Sequence, residues 1–134
     1  MATDTLQVFT SAPAAEINFD VLTAARQVYT LPMTRNFTVN FRASANASLS
    51  SILNNQMIEV SLVVENNATG KWYPNIYKVD NEFHYPLFVN AVAPKAGTSS
   101  RKHEFKFKFF KVGSAIISLG TLTMFGDDPS IKKV

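Results

Sequence analysis

Cysteine is missing from the 134-residue chain. Without thiols there are no disulfides, no thiolate nucleophile and no Cys-based zinc or iron site. Histidine is nearly missing too, with His84 and His103 far apart in sequence. Charge is sparse: 17% of residues are Asp, Glu, Lys or Arg against 46% hydrophobic, which excludes a disordered charged tail. No run of ~18 apolar residues occurs, so no membrane-crossing helix and no membrane partner are expected. The P-loop, GxGxxG and HExxH patterns are absent. The start Met1-Ala2-Thr3-Asp4 has no basic residue and no apolar stretch, so no secretory signal is expected there. The sequons at Asn36, Asn46 and Asn67 then read as chance products of a polar β-protein.

What is present favours strands. The length suits one domain, expected over residues 1–126 with a tail at 127–134. Phe, Val, Ile, Thr and Tyr are plentiful and suit a pleated, half-buried surface. Period-2 alternation recurs, while helical periodicity is nearly absent. Strands are expected at Thr5–Thr10, Glu16–Val21, Ala24–Leu31, Asn36–Phe41, Gln56–Glu65, Lys71–Val79, Tyr85–Val92, Arg101–Val112 and Ala115–Phe125. Ser48–Leu53 reads as one helical turn. Gln56–Glu65 is too densely apolar for a strand with one wet face, so it is expected to be central. Pro74 places its strand at an edge or on a bulge. Asn66–Gly70 reads as a turn accepting positive φ. No solenoid period is visible, and no linker divides the chain. The expected fold is all-β: a single-domain antiparallel β-sandwich, jelly-roll or barrel-like, of about eight or nine strands.

The net charge of +3 is local. From Lys95 to Lys111 six cations stand against Glu104 alone, giving +5, so the remainder sums to −2. Arg101, Lys102, Lys106 and Lys108 form a candidate basic face. A single-strand nucleic-acid platform needs cations and stacking aromatics on one exposed face. Here Phe105, Phe107 and Phe109 alternate with the lysines, so the pleat separates the two sets and nucleic acid is disfavoured.

Catalysis finds little support. Ser–His–acid chemistry needs three residues brought together, and both histidines sit in strand patterns. Asp80, Glu82 and His84 have metal-ligand chemistry, but on a strand they lie ~6.5–7 Å apart, wide for one ion. They read as solvated turn residues. Nothing singles out two acids among Glu59, Glu65, Glu82 and Glu104 for glycoside hydrolysis. No enzyme, no metal and no cofactor are expected. Trp72, Tyr73 and Tyr77 are aromatics with polar tips, which serve cores, partner contacts and glycan sites alike. With Tyr85 they would make a glycan platform.

The order of features is more specific than any one of them. The chain runs Asn18-Phe19-Asp20, then Asn36-Phe37-Thr38-Val39-Asn40-Phe41, then the Gln56–Glu65 strand passing into Asn67-Ala68-Thr69-Gly70. Trp72-Tyr73-Pro74 and Phe105-Lys106-Phe107 follow. This resembles a small β-domain recurrent in tailed-phage virion proteins, in head fibres, tail fibres and capsid decorations, over about residues 15–125. The resemblance implies a non-catalytic protein of the virion, often trimeric, that binds itself and a major capsid or tail protein. A domain starting at its own Met1 suits a decoration or cement protein or a short appendage. The contact residues expected on this reading are Leu6, Val8, Phe9, Trp72, Tyr73 and Tyr77. A lectin-like adsorption module and a nucleic-acid-binding β-protein are the alternatives.

Overall fold

The computed structural model describes residues 5–128, 130 and 131. Half of the expected tail 127–134 (129 and 132–134) and the start Met1–Asp4 lie outside the described residues. Ten strands form two packed sheets: β1 (Leu6–Phe9), β2 (Glu16–Asp20), β3 (Arg26–Tyr29), β4 (Phe37–Arg42), β5 (Ile58–Glu65), β6 (Pro74–Val79), β7 (Glu82–His84), β8 (Leu87–Phe88), β9 (Lys102–Val112) and β10 (Ala115–Phe125). One helical turn, α1 (Leu49–Ile52), separates β4 from β5. No helix among the described residues is long and apolar enough to cross a membrane. The chain is thus an all-β sandwich, as its alternation implies.

The strand directions differ from expectation. The first sheet runs β1-β3-β5-β9-β10-β8 and the second β2-β4-β6-β7. Five of the eight pairings are parallel, namely β1–β3, β3–β5, β2–β4, β4–β6 and β10–β8. From β1 to β6 the chain crosses between sheets at every connection, winding as a two-layered coil. Parallel neighbours need a crossover, usually a helix; in the four parallel pairs from β1 to β6 each crossover instead contains a strand of the opposite sheet. The coil's repeat is uneven. Leu6 pairs with Arg26 and Glu16 with Thr38, but the next turn stretches to Arg26 with Ser61 and Thr38 with Ile76, because it carries α1. That unevenness hides the winding in the sequence. Only β5–β9, β9–β10 and β6–β7 are antiparallel.

Alternation places the core between the sheets. Phe19, Val39, Phe41, Val60, Val64, Phe105, Phe107 and Phe109 are fully buried. Phe41 joins the layers: its ring centroid lies 5.4 Å from Phe19 in its own sheet, and 5.3 and 4.9 Å from Phe107 and Phe109 in the other. Each such side chain contributes about 1.5–3 kcal/mol by burial.

Several local readings need correction or narrowing. Of the two places expected for Pro74, an edge or a bulge, the bulge holds: β6 lies between β4 and β7, not at an edge. A register shift between Phe37 and Thr38 skips Asn75, an irregularity of the kind at which a strand proline is tolerated. Tyr85–Val92 is not one strand. Only Leu87–Phe88 pairs, because Pro86 lacks an N–H and Asn90 and Ala91 hold φ of 57° and 58°. Asp80–His84 is instead a tight hairpin. Asp80 and Asn81 (φ 52° and 68°) form its two-residue turn, a conformation Asp and Asn tolerate. The Asn66–Gly70 turn needs no positive φ; it is built by the Asn67 side chain, whose Oδ1 accepts from Gly70 N at 2.7 Å and Thr69 N at 3.1 Å.

Candidate interaction surfaces

The strand β9 displays the basic face. Its phenylalanines point inward and Lys106 and Lys108 outward. The outward cations are interleaved with acids. Lys102 Nζ lies 3.5 Å from Glu65, Lys106 Nζ lies 3.8 Å from Glu104, and Lys108 stands opposite Glu59 in the β5–β9 register. Glu104 also accepts from Ser61 Oγ at 2.7 Å. Arg101 lies apart from Lys106 and Lys108, over the backbone of Gly126, where a Cβ would come within 2.5 Å of its Cδ. This face is a charge mosaic rather than a positive groove, and its aromatics lie on the far side of the sheet. Exposed pairs of this kind contribute little to stability.

Trp72, Tyr73 and Tyr77 are not presented together. Tyr77 is a core residue, 8% exposed, with its hydroxyl donating to Pro74 O at 3.2 Å. Burial pushes its ionisation well above the ordinary tyrosine range, and nearby Tyr73 adds to the rise. Tyr77 therefore reaches solvent only at the floor of a hollow. Trp72 is 39% exposed and belongs to a clasp between two loops. The buried Asn66 side chain accepts from Trp72 N at 3.1 Å and donates to Trp72 O at 2.9 Å. Gly97 N donates to Lys71 O at 2.9 Å, and Ser99 Oγ to Gly70 O at 2.8 Å. Only glycine fits at Gly97, since a Cβ would stand 2.1 Å from Trp72 O. Thr98 N donates to His103 Nε2 at 2.9 Å. That nitrogen is therefore unprotonated, and Nδ1 carries the proton toward Arg101 O at 3.1 Å. Burial lowers the pKa of His103, opposed by this backbone bond.

The hairpin β6–β7 explains Asp80, Glu82 and His84. Asp80 accepts from Leu49 N at 2.7 Å and Ser50 N at 3.1 Å, capping α1 together with Ser48, whose hydroxyl accepts from Ser51 N. His84 reaches across the core to Ser118 Oγ at 2.6 Å, and burial lowers its pKa. Ser118 is 1% exposed, so this pair joins the sheets and offers no open nucleophile. No group of three or more metal-ligating side chains converges among the described residues.

Two apolar surfaces among the described residues lie at sheet edges. At one edge of the first sheet, β1 exposes Leu6 and Val8, while Phe9 turns inward and stacks on Tyr29 at 4.5 Å. The second was not anticipated. Phe83, Tyr85, Leu87 and Val89 point outward with exposures of 68, 84, 58 and 63%, while His84, Pro86 and Phe88 between them are half-buried. This ridge separates a hollow lined by Ile76 and Pro94 from one lined by Lys106, Lys108 and Leu119. Its signal was present in the sequence: over 83–89 the alternating set destined for solvent is as apolar as the inward set. Tyr73, Tyr77 and Tyr85 border the same hollow, whereas Trp72 does not. Compared with known proteins, the chain matches no family model, no curated protein and no solved structure.

Proposed function

We propose that the chain is a non-enzymatic structural protein of a phage virion, a capsid decoration or short appendage that assembles as a homo-oligomer on other virion proteins. The order of strand and turn motifs supports the class. The observation that carries the reading is the ridge Phe83–Val89. Four large apolar side chains in seven residues stay in solvent, flanked by a charged face. Contiguous apolar surface of this kind marks contact sites on soluble proteins. Many copies on a lattice multiply a modest single-site affinity.

The test is sedimentation of the purified chain with and without particles, and of the double variant Phe83→Ser/Tyr85→Ser. The wild type is expected to self-associate and to pellet with particles, and the variant to lose the pelleting while keeping its β-type circular dichroism. A wild-type chain that stays monomeric and never pellets with particles defeats the reading.

A further inference from the structure

Each sheet ends in two edge strands: β1 and β8 in the first, β2 and β7 in the second. Free edges template pairing with other chains unless they are blunted. Three of these four are blunted. β8 is two residues long, follows Pro86, and runs into the left-handed Asn90 and Ala91. β7 has three residues and is followed by Tyr85-Pro86. β2 carries Glu16 and Asp20; twofold pairing of two copies about Asn18 would set Glu16 of one opposite Asp20 of the other, a destabilising like-charge pair. The remaining edge strand, Leu6-Gln7-Val8-Phe9, contains no charge and no proline, and its register with β3 has no bulge; beyond β8, β10 is uncovered too over residues 121–125.

The backbone of β1 is also presented correctly. Thr5 O accepts from Arg26 N and Phe9 O from Thr30 N, both at 3.0 Å. Backbone groups alternate sides along a strand, so those of Leu6 and Val8 face away from β3. Their side chains are 63% and 52% exposed. Val28 and Val63 continue the row of Val8 across the same outer face.

We propose that β1 pairs antiparallel with β1 of a second copy about a twofold axis at Gln7, joining two six-stranded sheets into one. In that register Leu6 of each copy lies opposite Val8 of the other. The outward N–H and C=O groups of both residues are satisfied, apolar side chains meet, and no charge faces a charge. The strand is self-complementary, which is why a second copy is its fitting occupant. This inference rests on the reading of the chain as a homo-oligomer and names one contact of it. An isologous contact closes on itself, so it yields even-numbered assemblies.

Sedimentation equilibrium up to about 100 µM, where affinities weaker than typical specific complexes still register, tests it with three variants. Val8→Pro removes an outward N–H and leaves the bonds to β3. Leu6→Lys adds the charge the edge lacks. Gln7→Cys places two thiols at a non-hydrogen-bonded pair, about 4.5 Å between Cα atoms, within disulfide reach. The expected result is an even-numbered wild type, a loss of that association of tenfold or more in Val8→Pro and Leu6→Lys, and a covalent dimer of Gln7→Cys under mild oxidation. A Gln56→Cys control is expected not to cross-link. An odd-numbered wild type, a strictly monomeric one, or association unchanged in both edge variants overturns the β1 pairing. In the last case self-association through the ridge stands. Pelleting with particles judges the virion reading separately.

Discussion

The two halves of the molecule hold their strands by different means. From β1 to β6 the strands are parallel and consecutive turns of the coil lie far apart in sequence. In the second sheet, polar bonds on the outer face tie β2, β4 and β6 in register. Asn40 Nδ2 donates to Asn18 Oδ1 at 3.0 Å and to Asn81 Oδ1 at 2.9 Å, and Asn40 Oδ1 accepts from Asn81 N at 2.9 Å. Arg42 pairs with Asp20, and Lys78 with Glu16 at 3.0 Å. From β7 to β10 the register is set chiefly by hairpins, and the side chains that matter are rings and the two histidines. Where a turn fixes the register, side chains are free to serve packing; where a long crossover does not, side chains must specify the neighbour.

Four substitutions or conditions test this contrast. Phe41 belongs to both halves, so Phe41→Ala should cost most, about 3–5 kcal/mol in denaturant unfolding. Gly97→Ala strikes the clasp between β5–β6 and β9, where backbone rather than a flexible side chain blocks the new methyl group. A loss of about 1–3 kcal/mol is expected, with faster hydrogen exchange at Lys71–Trp72 and Thr98. Asn40→Ala leaves Asn18 and Asn81 without their partner and should cost about 1–2 kcal/mol. Its exchange is expected to rise in β2 and β4 while β9 and β10 stay protected; uniform loss would erase the distinction. The smallest effect is pH. Both histidines have folded pKa values lowered by burial, so the unfolded chain takes up protons first as pH falls below about 6.5. Their stabilising effect is complete above that pH and declines below it. The decline should show first in protection of the Thr98 amide, which His103 accepts only when neutral, and should be absent from β2 and β4.

Much of the fold was legible. Asn36–Phe41, Gln56–Glu65 and Arg101–Val112 alternate strongly enough to give both strand and face, and the helical turn expected at Ser48–Leu53 is α1. Direction was not legible. Alternation says which side of a strand is buried and nothing about which strand lies beside it, so the parallel coil stayed hidden behind its unequal turns. Composition does not place Tyr77, since Tyr serves cores and contacts alike; its position in β6, two residues before buried Val79, decides for burial. The ridge escaped because apolar residues on both faces of 83–89 look like an interior strand. Pro86 and the left-handed Asn90 and Ala91 prevent that segment from being one.

The uneven coil also sets an order in time. The β9–β10 hairpin closes over Gly113-Ser114 alone, with Gly113 at φ 63°, and needs no distant partner. Hairpins of this kind form in about 1–10 µs. Joining Thr38 to Ile76, or Arg26 to Ser61, must first close long stretches of chain, and non-local parallel pairing is slow. The hairpin is therefore expected to be the nucleus on which β5 docks, with β3 and then β1 added outward from it. The last strand to join is β1, the uncharged edge proposed to pair with a second copy.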